Sequence, residues 1–400
     1  MSDYQKALGR KIAQNRRRRG LSQREFARLI DRSEAWVSQV ERGVRKVDRM
    51  SVLETLAEVL DVPVADLAAE APIVAAATEE TPGNTRLRLV LSGAHALNAM
   101  LSKRPPADIQ DLRARSEEAW AFTHEGRYLD LTVVLESLVP DLEAAARSVT
   151  NGERAEVFRL LAATYQACSS ALTKMGEFEA AWIAADRAIM SAERAEDPLL
   201  MAAGEFRLCL TFLGARHLDQ VEMTGRTAAE ALAPLVAQGR PEALSVFGAL
   251  TLQRAIGAAR RNDADAAYRY IAAAKEVADR LGEDRNDFDT EFGPTNVALH
   301  EIAAAVELGD AGVALRAAEG VDASNLSSER QGRFQIDVAR AHLQRRNADQ
   351  AIAALERAEA VTPEQTHAHP LVRQAIADLL TIQDPPGPAL LGLARRAGAL

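Results

Sequence analysis

From residue 86 to residue 383 the sequence repeats one plan: a helical stretch, a turn built on Gly, Asn or Asp, then a second helical stretch with alanines at fixed offsets. The clearest copy runs Tyr165, Cys168, Ser169, Leu172, Gly176, Phe178, Ala181, Ala185, Ala188; the last runs Ala339, His342, Ala348, Ala351, Leu355, Ala358, Pro363. Weaker copies centre on Gly126/Tyr128/Leu131/Leu135, Leu218/Val221/Ala228, Ala264/Ala267/Ile271/Ala274 and Gly309/Ala311/Ala314/Ala318. The turn-following positions Ala181, Val221, Ala267, Ala314 and Ala351 succeed one another at intervals of 40, 46, 47 and 37 residues. Spacings of three and four place such side chains on one helix face. A lone helix pair cannot bury that face, so pairs must stack. The composition agrees, because aromatics make up only 4% of the chain and sheets favour aromatic and β-branched residues. The chain is predicted to be all-α.

The copies resemble the tetratricopeptide repeat, with intervals longer than its period of about 34 residues. The resemblance implies an α-solenoid of helical hairpins over residues 86–383, with 370–383 as a capping helix and 384–400 as a proline-broken tail ending in a short helix. The first helix of each pair would line the concave surface, where a peptide or small-molecule effector binds. Projecting the pattern puts Trp120, Gln166, Ser170, Lys174, Phe206, Asn296, Arg333 and Arg340 on that surface. Residues 283–296, EDRNDFDTEFGPTN, are the longest aperiodic stretch inside the array. Long loops in compact domains often carry function. Phe292 in this loop, with Thr295, Asn296 and His300 at the next helix start, is read as part of a lid and polar clamp.

The first fifty residues differ in charge from the rest. They hold 14 Lys/Arg against 6 Asp/Glu, a net +8, whereas the remainder sums to −17 and the whole chain to −9. A basic head on an acidic body fits a nucleic-acid module joined to a module of another kind. Leu8 and Ile12 begin a helix that Arg16–Arg19 and Gly20 end. Ser22 and Glu25 make a capping box for a second helix with Phe26, Ala27 and Ile30 inward. After a turn at Asp31, Ser33 caps a third helix with Val37 and Val40 inward; Val52, Leu53, Leu56, Ala57 and Leu60 stripe a fourth, and Val62 and Leu67 close the core through a last short turn.

Leu21-Ser22-Gln23, Phe26-Ala27, Val37-Ser38-Gln39-Val40-Glu41-Arg42-Gly43 and the Leu53/Leu56/Ala57/Leu60 stripe, in this order, resemble the Cro/repressor-type (XRE) helix-turn-helix over residues 6–68. Asp31 stands where that family usually has a turn glycine, a position that needs a left-handed backbone. The resemblance implies a five-helix repressor-like domain over residues 1–68, a linker at 69–85, and Glu34, Ala35, Ser38 and Gln39 facing base edges in the major groove. It likewise implies backbone contacts from Gln23, Ser33, Trp36, Arg42, Arg45, Lys46 and Arg49. One such module buries too little surface to bind tightly, so a homodimer on a palindromic double-stranded operator is expected.

The layout as a whole resembles helix-turn-helix plus tetratricopeptide regulators of Gram-positive bacteria, including actinomycetes and the RRNPP-like peptide-pheromone group. This implies a cytoplasmic, nucleoid-associated transcription factor whose repeats sense an effector in a quorum-sensing-like way. A protein-interaction adaptor, docking a sigma factor or a toxin through its repeats, is the alternative. A groove rich in Lys/Arg and open at both ends would favour protein or peptide, and a closed, apolar pocket under the 283–296 loop a small molecule. No GxSxG, HExxH, Walker or Rossmann pattern is present, so no enzyme is expected. Cys168 and Cys209 form no CxxC pair, and His367 and His369 lie in a Pro-flanked loop, so neither a metal nor a cofactor is expected. No run approaches the length of a membrane span.

Overall fold

The computed structural model describes residues 3–45, 47, 50–67, 82–91, 108–149, 152–383 and 385–400. Among them every regular element is helical, and the one strand-like feature is an antiparallel bridge between Arg285 and Phe292.

The N-terminal core is built from α1 (Asp3–Arg18), α2 (Gln23–Leu29), α3 (Glu34–Glu41), α4 (Met50–Leu60) and α5 (Val64–Leu67). Gly20, at φ 71°, reverses the chain after α1. The Ser22 hydroxyl accepts from the Glu25 N–H at 3.2 Å and the Glu25 carboxylate accepts from the Ser22 N–H at 2.8 Å, completing the capping box. Asp31 takes the left-handed turn at φ 51°, and Ser33 caps α3 through the Trp36 N–H. Leu8, Ile12, Phe26, Ile30, Val37, Val40, Leu56 and Leu67 meet in one apolar core. Buried Arg16 ties α1 to α3 by a two-pronged pair with Glu41, at 2.5 and 2.9 Å, and donates to the Leu21 carbonyl.

The connector expected to run through residue 85 gives way earlier: α6 (Pro82–Val90) already begins at Pro82, a residue suited to the first turn of a helix. The repeats follow as six antiparallel pairs. These are α7 (Ile109–Glu125) with α8 (Tyr128–Ser148), α9 (Arg154–Lys174) with α10 (Phe178–Arg194), and α11 (Pro198–Gly214) with α12 (Leu218–Ala237). Next come α13 (Pro241–Arg260) with α14 (Ala264–Leu281), α15 (Pro294–Leu308) with α16 (Ala311–Ala318), and α17 (Ser328–Gln344) with α18 (Ala348–Val361). The turn-following residues Ala181, Val221, Ala267, Ala314 and Ala351 are all buried, as the interlocking of small and large residues requires. Cys168 and Cys209 are buried free thiols.

Three further helices end the chain: α19 (Pro363–Ala368), α20 (Pro370–Ile382) and α21 (Pro388–Arg396). The segment expected to be a tail is therefore a packed end-cap, because Leu390, Leu393 and Ala394 share one face of α21 and are buried against α18 and α20.

The stack curls until its ends meet. α7 packs on α17; the Leu129 N–H at the start of α8 donates to Glu364 at 3.1 Å; and Lys174, ending α9, is ion-paired with Glu329 of α17, 155 residues away. The concave side is thereby bounded where the two ends of the stack touch.

The 285–292 segment crosses the concave side as a packed plug. Phe292 is about 1% exposed and its ring lies directly on Gly248, where an added Cβ would stand 2.0 Å from the ring. Arg207 of α11 donates to the Phe288 and Asp289 carbonyls at 3.2 and 2.6 Å, and the imidazole of His124 in α7 lies 3.6 Å from the Asp289 carboxylate. The reading of Phe292 as part of a movable lid is thus corrected: it is core. Phe206 is likewise fully buried between helices. Trp120 is buried too, its Nε1–H donating to the Ala163 carbonyl and its ring under the Arg207 guanidinium. In each case a helix face that points toward the axis is covered by the plug or the neighbouring pair, a relation that periodicity alone does not encode.

Candidate nucleic-acid interface and interior cavity

On α3 the burial of Val37 and Val40 leaves Glu34 and Ala35 exposed and Ser38 and Gln39 half-exposed on one continuous face. The Gln39 carboxamide oxygen accepts from Arg45 at 3.4 Å, and Arg42 folds back onto the Ser38 carbonyl. Trp36 packs half-buried against the head core with Arg32 over its ring. Gln23 donates to Glu41 at 2.7 Å, so its amide is held by the same carboxylate that holds Arg16. Exposed Ser33 uses its hydroxyl as the cap of α3. Lys46 and Arg49 lie outside the described residues.

The head rests on the body through the end of α1 and the turn that follows. Gly20 sits so close to α17 that a Cβ would come within 2.3 Å of the Leu343 carbonyl oxygen. Arg346, past the end of α17, donates to the Gly20 carbonyl at 3.2 Å and forms a two-pronged pair with Glu25 at 2.5 and 2.6 Å. Arg19 pairs with the buried Asp378 of α20, and Arg18 caps the end of α13 through the carbonyls of Ala259 and Arg260 and the side chain of Asn262. None of these contacts uses Glu34, Ala35, Ser38 or Gln39.

Beneath the docked head lies a cavity of about 320 Å³. Asn15, Arg18, Arg19, Leu60, Asp61 and Val62 of the head form part of its wall, and the body supplies the remainder, chiefly from α9, α11, α13, α15, α17 and α20. Of the residues projected onto the concave face, Lys174, Asn296, Arg333 and Arg340 line it, as does His300 of the expected clamp. Gln166 instead donates to the Leu200 carbonyl between helices, Ser170 is buried, and Thr295 is tied to Asp284 by its N–H and its hydroxyl. Arg18, Arg19, Arg216, Arg260, Glu307 and Asp378 also line the cavity and were not singled out by pattern. The arginine run at 16–19 was the one available signal, and it reads equally well as a favourable end for α1.

The cavity's charges are arranged in chains. Arg333 pairs with Asp337 at 3.1 Å, Asp337 with Arg340 at 3.1 Å, Arg340 with Glu307 at 3.3 Å, and Glu307 with Arg260 at 3.2 Å. Burial opposes ionisation of Glu307, yet Arg340, Arg260 and Arg18 hold its carboxyl well below the usual range. Burial, reinforced by Arg330, depresses His300 to about 3; burial, then Arg333 and Lys174, keeps His369 neutral as well. Burial raises Asp378 to about 6 against the pull of Arg19.

These shifts fix a pH response. Both histidines have folded values below that of free imidazole, so their contribution is whole above about pH 6.5 and is lost as pH falls below it. Asp378 works the other way, since its raised value favours the folded state once pH drops through about 6. Going from about pH 7.5 to about pH 5.5, the two histidines outweigh the one carboxyl by roughly 1 to 2 kcal/mol. The urea midpoint of the full chain is expected to fall over that interval; a midpoint that stayed level or rose would contradict the burial of neutral imidazoles here.

Residues 7–69 match a family described as "Helix-turn-helix domain". No curated protein matches the chain in sequence. Among solved structures, aspartyl phosphate phosphatase F from Bacillus subtilis is similar at 14% identity over 90% of this chain and 94% of that one, with a TM-score of 0.45, a likeness too distant to carry an argument. The class defined by the sequence match and by the helices themselves is a helix-turn-helix domain carried on an all-α helical solenoid. No helix among the described residues is long and apolar enough to cross a membrane.

Proposed function

We propose that this chain is a sequence-specific DNA-binding transcriptional regulator whose helical body senses a small-molecule effector. The observation that carries the reading is the open face of α3. Val37 and Val40 are spent on the core, the docking contacts come from the end of α1 and from Glu25, and Glu34, Ala35, Ser38 and Gln39 take no part in docking and face outward. A Gln carboxamide can bond an adenine edge twice, a Glu can accept from a cytosine amino group, and an Ala can touch a thymine methyl. Arg42 and Arg45, with Lys46 and Arg49 beyond them in sequence, would hold phosphates and fix register. The small size of the head supports action as a homodimer on a two-fold operator. The cavity's volume of about 320 Å³ supports a small-molecule effector over the docking of a long protein segment.

Capture of genomic DNA fragments by the full chain, next to a Gln39→Ala variant at identical salt, tests this. The wild type is expected to enrich one palindromic sequence, and the variant to lose about 1–3 kcal/mol of discrimination at a single base position in each half-site. Fixed salt matters because phosphate contacts make affinity fall steeply with ionic strength. Enrichment of no sequence by either protein would sink the proposal.

A further inference from the structure

Five guanidinium groups, those of Arg18, Arg216, Arg260, Arg333 and Arg340, converge on the cavity, where they meet two carboxylates, Glu307 and Asp337. With Arg19, Lys174 and Arg330, and with Asp61 and Asp378, the lining holds eight basic side chains against four carboxylates, an excess of four positive charges. Burying unbalanced charge is costly unless it is paired and hydrogen-bonded. The Nε–H groups of Arg18 and Arg216 are buried and, among the described residues, find no acceptor. Arg18 is held in place all the same, its terminal nitrogens spread over the end of α13. Donors fixed in position, desolvated and left without acceptors mark the place of an absent acceptor with negative charge.

We infer that the cavity between head and body is the binding site of a compact polyanion, carrying at least two negative charges on phosphate-ester or carboxylate oxygens, held jointly by Arg18 of the head and by Arg216, Arg260 and Arg340 of the body. The inference rests on the effector reading above and gives it a chemical class. A volume of about 320 Å³ suits a compact ligand better than a long peptide, and an apolar ligand would leave the guanidinium groups unbalanced. Because Arg18 belongs to the helix that carries the DNA-reading domain, the occupant would touch both parts at once.

The test titrates pyrophosphate and, separately, citrate into the full-length chain at matched ionic strength, following heat of binding and unfolding temperature. Arg216→Gln removes a cavity guanidinium that forms no hydrogen bond to the protein through its Nε. Arg18→Gln removes one from the head. Arg17→Gln, at an exposed neighbour, makes the same charge change outside the cavity. The expected result is saturable, stabilising binding of at least one probe, weakened about tenfold or more by Arg216→Gln and Arg18→Gln and left alone by Arg17→Gln. Binding of pyrophosphate alone assigns a phosphate-type ligand, and of citrate alone a carboxylate type. No saturable binding of either probe to the wild type, or equal weakening by all three substitutions, would overturn the inference. DNA enters neither readout, so a chain that takes the anion but captures no operator would defeat only the regulator reading, and the converse result only the anion site.

Discussion

A Lys174→Ala variant is expected to lose about 3 kcal/mol of stability, because it removes the nearest counter-charge of a buried carboxylate. Buried Glu329 and half-buried Lys174 face each other across the interior, one starting α17 and the other ending α9. Burial alone would push the Glu329 carboxyl upward; Lys174 and Arg330 bring it down to about 2 instead. Its remaining neutral partner is the Gln365 amide at 3.2 Å. The loss should appear as a lowered unfolding midpoint in urea by circular dichroism. The apolar double replacement Lys174→Met with Glu329→Met should recover most of it, since removing both charges also removes both desolvation costs. A single variant as stable as the wild type would show that the two ends of the solenoid are held by something other than this pair.

Phe292→Ala is expected to cost about 3–5 kcal/mol, the range for emptying a fully buried aromatic site. The ring has no room to be replaced by a rearrangement of the helix beneath it, since Gly248 offers only backbone there. The loss would be felt beyond the void. Arg285 exchanges both backbone hydrogen bonds with Phe292, each at 2.8 Å, and Arg207 depends on the carbonyls of Phe288 and Asp289 for its buried donors. Limited proteolysis of the variant should therefore cut first between residues 283 and 291, and its melting temperature should drop by several degrees. Resistance to cleavage equal to the wild type would mean that the plug is held by its polar contacts and not by the ring.

Local rules carried much of this architecture into legible form. The Ser22/Glu25 box, the left-handed Asp31 and the inward Val37 and Val40 are settled within a few residues, and each is found as the sequence implies. The alanines of the repeats are equally local in their logic, since a helix can approach closely only where its neighbour is small. What the pattern did not disclose is made by partners far apart in the chain: Lys174 with Glu329, and Arg19 with Asp378, 359 residues on. Those pairings close the ring and seat the head. Phe206, placed by periodicity on an inner face, and Phe292, read as part of a lid in the aperiodic loop, are core, while Arg18 and Arg216 line the cavity. The curvature that decides between these outcomes accumulates over six helix pairs and is written in no single one of them.

Glu25 occupies two bonds that belong to different parts of the molecule. One oxygen completes the start of α2, the helix that stands beside the reading helix, and both oxygens grip Arg346 of the body. Two equilibria therefore share one carboxylate: how well α2 is begun, and how firmly the head is seated. Because the free energy of a closed thermodynamic cycle sums to zero, whatever strengthens or weakens seating through this group must alter the start of α2 by an equal amount, and the reverse. The junction is in this sense a two-way coupling with a single atom group as its shaft, and its stiffness is set by how completely Arg346 keeps hold of Glu25.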